Sequence, residues 1–158
     1  PNDRHLFIND RTGSGMGVNV GRPAGRAIII GTALLLVGMM VFGVCLSAGF
    51  DAPREAHIEG GVLYFRHFAE KYEIPLEDID SLELIDELPG AKRIAGTGLP
   101  NLLEGRFRVE GYENTRISLN PEEPPYIAVV TADMSRIFAL GTPQETEEFY
   151  NELKEALS

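Results

Sequence analysis

The chain is short of the side chains that cross-link, ligate or catalyse. Its 158 residues hold one cysteine, Cys45, so an internal disulfide is excluded. The three histidines, His5, His57 and His67, stand at no metal-ligand spacing and no cysteine joins them, so no metal site is expected. The acidic run Glu77-Asp78-x-Asp80 lacks the glycine and closing glutamate of a calcium loop and reads as a solvated turn. Ser47, Ser81, Ser118 and Ser135 have no histidine near them in sequence and no glycine-flanked nucleophile elbow. Their neighbours in space are left open by the sequence. No reaction and no cofactor is indicated, and a non-catalytic protein is expected.

Cations are scarce as well. Fourteen Lys and Arg against 24 Asp and Glu leave a net charge of −10. Residues 1–26 carry four arginines and two aspartates, hence +2, and residues 27–50 carry no charge, so −12 falls on residues 51–158. Nucleic acid is excluded as a partner for such a domain, because phosphate neutralisation needs clustered Lys and Arg. An anionic lipid surface would repel it for the same reason.

The charge-free stretch Ala27–Phe50 is the longest apolar run in the chain, bracketed by Arg22 and Arg26 before it and Asp51 after it. At ~1.5 Å per residue a helix of that length reaches about 36 Å, enough for a hydrocarbon core of ~30 Å with some tilt. It shows no polar face, which a soluble amphipathic helix would have. The run is longer than a signal-peptide core and has 26 residues before it, so it reads as a membrane anchor. Ala27, Gly31, Gly38 and Cys45 recur at four or seven residues, and Gly43 with Ser47 makes a second small pair. These are candidates for a helix-packing seam, although glycine is common in membrane helices in any case. Arg11, Arg22 and Arg26 precede the span, and Arg54 with Arg66 follows it. That bias favours a cytoplasmic N-terminus with the acidic domain outside.

Residues 1–26 form a Gly- and Arg-containing juxtamembrane arm. Gly13, Gly15, Gly17 and Gly21 argue against a regular helix, and no Lys-Ser/Thr follows them as a phosphate loop requires. Asn2-Asp3, Leu6-Phe7-Ile8 and Gly15-x-Gly17-x-Asn19-x-Gly21-x-Pro23 resemble a short segment of unknown function. It precedes a transmembrane helix in multi-span bacterial membrane proteins, and the resemblance implies further spans upstream. The chain begins with Pro1, so a longer protein or a processed start is expected.

A polar linker, 51–56, leads into a domain over 57–158. Gly60-Gly61 between His57-Ile58-Glu59 and Val62-Leu63-Tyr64-Phe65 predicts a tight hairpin, since both glycines permit positive φ. Tyr72–Ile74 before Pro75 predicts an edge strand, and Ile79–Ile85 a further strand. Leu88–Leu103 is rich in glycine and proline and is expected to be a loop. In 106–112, Phe107 and Val109 alternate with Arg106, Arg108 and Glu110. Arg116–Leu119, Ile127–Thr131 and Ile137–Leu140 complete about seven strands, a sandwich or strongly bent barrel. Thr142-Pro143-Gln144-Glu145 then predicts a capped helix whose stripe Phe149, Leu153, Leu157 plugs one open end.

These residues resemble the bacterial pleckstrin-homology (PH) family of membrane proteins. The likeness runs through Ile58–Leu63, Ile74-Pro75-Leu76-x-x-Ile79, Leu82–Leu84, Gly96-x-Gly98-Leu99-x-Asn101–Phe107, Pro125–Ile127 and Glu147–Tyr150. It implies a mainly β domain, a seven-stranded sandwich or barrel capped by one helix beside a membrane span, acting as a protein-interaction or regulatory module. It brings no agreed ligand. Relatives of this fold that bind phosphoinositides carry basic residues at the first hairpin. Here Glu59 and Val62 flank Gly60-Gly61 and one arginine, Arg66, comes later, so that binding is not expected.

The candidate interaction site is the 88–105 stretch with its flank: Lys92, Arg93, Leu99, Asn101, Leu102, Leu103 and Arg106. Its length and its apolar Ile94, Leu99, Leu102 and Leu103 exceed what a connector needs. A protein partner is the leading expectation. Lipid-surface sensing by the same stretch is one alternative, and a regulatory tail of a larger multi-span transporter or immunity-type membrane protein is another. Lys92, Arg93, Arg106 and Arg108 could equally be solvated surface charges.

Overall fold

A computed structural model describes residues 5–9, 15–68 and 70–158. Asn2, Asp3, Arg11 and Gly13 of the arm lie outside the described residues. The chain divides into two compact units, Pro1–Gly49 and Phe50–Ser158.

In the first unit, β1 (Phe7–Asn9) pairs antiparallel with β2 (Met16–Val18) in the register Phe7↔Val18. Of the glycines that argue against a helix, Gly17 lies in the second of these strands and Gly15 directly before it. Asn19 ties it off: its amide donates to the Leu6 carbonyl at 2.8 Å and its side-chain Nδ2 to the His5 carbonyl at 3.1 Å. Helix α1 (Pro23–Phe50) follows, 28 residues long and apolar enough to cross a membrane. It starts four residues before the expected Ala27, because Pro23 suits the first helical turn and Arg26 already closes a bond to the Arg22 carbonyl.

The second unit has nine strands where about seven were expected. One sheet has three: β3 (Glu55–Glu59), β4 (Val62–His67) and β5 (Glu70–Pro75), in that order and antiparallel. Its first hairpin turns at Gly60 and Gly61, both at positive φ, +58° and +78°, as the sequence predicts. β3 begins at Glu55, inside the stretch read as a linker. A 3-10 turn at Leu76–Asp78 leads to β6 (Ile79–Ile85). The other sheet runs β6, β10 (Tyr126–Thr131), β11 (Ser135–Phe138), β9 (Tyr112–Leu119), β8 (Leu102–Val109) and β7 (Ala91–Leu99). β9 and β11 are parallel and the other pairs antiparallel.

The expected loop at 88–103 is the main correction. It is a hairpin of β7 and β8, turned at Pro100-Asn101 with Leu99 opposite Leu102. Gly96 and Gly105 face each other across the ladder at φ +119° and +123°. A Cβ on Gly96 would lie 2.2 Å from the Glu104 carbonyl oxygen, and one on Gly105 2.4 Å from that of Ala95. The glycines therefore mark two backbones pressed together, a use of glycine in strands that composition alone cannot tell from a loop.

Two apolar cores follow from the alternation. Leu63, Phe65 and Ile74 of the small sheet meet Ile127, Val129 and Phe138 of the large one, beneath Phe149 and Leu153 of helix α2 (Pro143–Ala156). The opposite face of the large sheet gathers Phe107, Val109, Ile117, Leu119, Tyr126 and Ile137. That sheet is strongly curled: Tyr112 on β9 donates to Glu83 Oε2 on β6 at 2.8 Å, although two strands lie between them in sheet order. The helix cap is as expected, with the Glu145 amide donating to Thr142 Oγ1 at 3.2 Å. The stripe differs at one end. Leu157 is exposed, and the fully buried Thr146 takes its place, receiving the Leu140 amide at 3.0 Å and donating to the Thr142 carbonyl at 2.9 Å.

Candidate functional site

Three regions bear on function: the β7–β8 ribbon, the first hairpin, and a polar cluster between the sheets.

The ribbon carries the candidate interaction residues. Lys92 pairs with Arg108, and Arg106, two residues before Arg108, shares that face and pairs with Ala95. Arg93 pairs with Phe107 on the other face. All four cations are exposed, and among the described residues none has an ion-pair partner. Asn101 is exposed at the tip and Leu99 is 41% exposed, with Ile94 at 59%. Leu102 and Leu103 behave otherwise. Leu102 is 2% exposed and Leu103 is partly buried against the second core, so both help to hold the ribbon in place.

Around the first hairpin the described cations sit against carboxylates, with Lys71 4.0 Å from Glu73. The hairpin's outer face bears Glu55, paired with Arg66 at 2.7 Å, and His57 stacked on Tyr64 with ring centroids 5.0 Å apart. Arg66 is thus already engaged by a carboxylate.

The third region is one the sequence reading missed. His67 continues the inward parity of Leu63 and Phe65, and its side chain is fully buried. Its Nδ1 contacts Glu104 Oε2, and Ser118 Oγ donates to the same carboxylate oxygen at 3.3 Å and lies 3.4 Å from the same nitrogen. Beside them Arg116 Nη1 donates to both oxygens of the buried Glu70, at 2.9 and 2.8 Å. Serine, histidine and glutamate together suggest a nucleophile relay, but the geometry is not one. A relay sets the hydroxyl on one ring nitrogen and the carboxylate on the other, whereas here both converge on Nδ1 and Nε2 is buried without a hydrogen-bond partner among the described residues. The cluster holds the end of β4 and the start of β5 onto β8 and β9.

Next along β5, Tyr72 lies under the Arg136 guanidinium, 5.0 Å from ring centroid to Cζ. Burial pushes the Tyr72 hydroxyl well above its ordinary value, with Arg136 acting in the opposite sense. Burial likewise lowers Arg136. Tyr112 is pushed up to about 12 by burial and by its hydrogen bond to Glu83.

The candidate seam on α1 is open. Ala27, Gly31, Gly38, Gly43 and Ser47 are all exposed, and a Cβ on any of the three glycines would meet no atom within 4 Å.

Two packed sheets with a helix over the core they share make a domain of pleckstrin-homology architecture. The family model of the Bacterial PH domain matches residues 54–157. The chain belongs to this family. No curated protein and no solved structure matches it.

Proposed function

We propose that the protein is a membrane-anchored, non-catalytic PH-like module that recognises another protein through the β7–β8 ribbon. The observation that carries this reading is the set of unpaired cations there. In a region of net charge −12, Lys92, Arg93, Arg106 and Arg108 gather on one exposed hairpin, and among the described residues no carboxylate pairs with them. Helix α1 supplies the anchor, and the arginines before it favour a cytoplasmic N-terminus with the PH-like domain outside. Phosphoinositide binding has no support, since the first hairpin is glycine-tipped and its arginine is paired.

The test is photo-cross-linking in cells, with the reactive side chain placed at Leu99 on the ribbon or at Glu59 on the first hairpin. Both positions are exposed. The reading expects a discrete protein adduct from Leu99 and none from Glu59. Adducts to lipid alone, or equal adducts from both sites, contradict it. Deleting 96–103 would not serve, because it removes the buried Leu102 and half of the ladder.

A further inference from the structure

The ribbon's outer strand has a second property besides charge. β7 ends the six-stranded sheet and pairs with β8 on one side, and among the described residues no strand pairs with its other side. It is nine residues long and every residue except Thr97 is exposed. At ~3.3 Å per residue that is an edge of about 30 Å, along which alternate N–H and C=O groups face outward unbonded. Such edges are ordinarily kept short, interrupted by proline or a bulge, lined with charge, or covered. Between Ala91 and Leu99 there is no proline, and one register shift at Arg93–Ala95 is the sole irregularity in the pairing.

From this edge and its charge we infer that β7 takes an extended acidic segment of a partner protein as an added strand of the sheet. The inference rests on the recognition reading above and supplies its mode. Backbone bonding along β7 would give the affinity, and Lys92, Arg93, Arg106 and Arg108, on the two faces beside the edge, would select carboxylates on either side of the incoming strand. A strand is favoured over a bilayer by range. Charges are screened beyond ~8–10 Å, so a narrow segment on the edge meets chiefly the four local cations. An anionic bilayer is wide and reaches past the ribbon to the flanking surface of a domain that carries −12.

The probe is a labelled, end-capped octapeptide of alternating Glu and Val, titrated into the full chain held in phosphatidylcholine nanodiscs. Two controls are an alternating Lys–Val peptide and a Glu–Pro peptide, which keeps the charge but cannot enter a ladder. Strand addition predicts that the Glu–Val peptide binds at least about tenfold more tightly than either control. It also predicts that the peptide slows hydrogen exchange of amides within Ala91–Leu99. Equal binding of the Glu–Pro peptide, equal binding of the Lys–Val peptide, or protection confined to other strands overturns it. Protection of β7 by phosphatidylglycerol nanodiscs without peptide also overturns it, assigning the cations to lipid. A persisting protein adduct at Leu99 together with equal Glu–Pro binding would remove strand addition and leave the recognition surface standing.

Discussion

Strand β8 carries two sets of charges with opposite fates. Glu104 points inward, 3% exposed, into contact with His67 and Ser118. Two and four residues further along the same face, Arg106 and Arg108 are exposed to solvent, with no carboxylate on them among the described residues. The inner charge is committed to architecture, because a buried ion tolerates no loss of its partner. The outer charges add almost nothing to stability, because exposed cations are well solvated. Charged residues on one strand thus stand in two settings, one structural and one that we propose serves recognition, and substitutions should separate them.

The largest effect is expected inside. Glu104→Ala removes from the buried cluster the carboxylate that His67 and Ser118 share and should cost about 3–5 kcal/mol, read as a fall in the urea midpoint of the full chain in micelles. The chain has no tryptophan, so tyrosine fluorescence or circular dichroism follows the transition. An unchanged midpoint would mean that the inner set is not structural. Gly105→Ala comes next. Its Cβ would meet the Ala95 carbonyl oxygen at 2.4 Å with φ at +123°, so a loss of about 1–3 kcal/mol is expected, along with weakened exchange protection across the β7–β8 ladder.

Removing the helix cap with Thr142→Ala should cost about 1 kcal/mol, since Glu145 N would lose its acceptor. It should leave both charge sets in place. Smaller still is a pH effect. The Tyr112 hydroxyl is raised from an ordinary value of 10 to about 12 in the fold. A raised value means the folded state holds its proton more tightly, so this contribution is complete below pH 10 and is lost as pH climbs to about 12. Tyr112→Phe should flatten the fall in stability across that window, and an unaltered slope would exclude Tyr112 as its source.

The sequence carried the apolar part of the fold well. The Phe107/Val109 alternation, the Gly60-Gly61 turn and the Thr142 cap each rest on contacts within a few residues, and each is seen in place. It carried the ribbon poorly. Gly96 and Gly105 read as loop punctuation because their reason is a cross-strand approach between residues nine apart in sequence. Lys92, Arg93 and Arg106 are legible as surface positions, whereas the burial of Leu102 and the partial burial of Leu103 depend on the ladder. His67, Glu70, Glu104, Arg116 and Ser118 gave no signal as a group, since their contacts span up to 51 residues. One clue was available: His67 shares the parity of Leu63 and Phe65.

The central claim is that the outer cations serve recognition while the inner charges serve the fold. The paired substitution Lys92→Glu with Arg108→Glu tests it, with urea stability and Glu–Val peptide affinity measured on the same full-chain sample. The account predicts a midpoint shift within about 0.5 kcal/mol and a loss of affinity of about tenfold or more. Affinity that survives the charge reversal, or a loss of stability that accompanies it, would contradict the division.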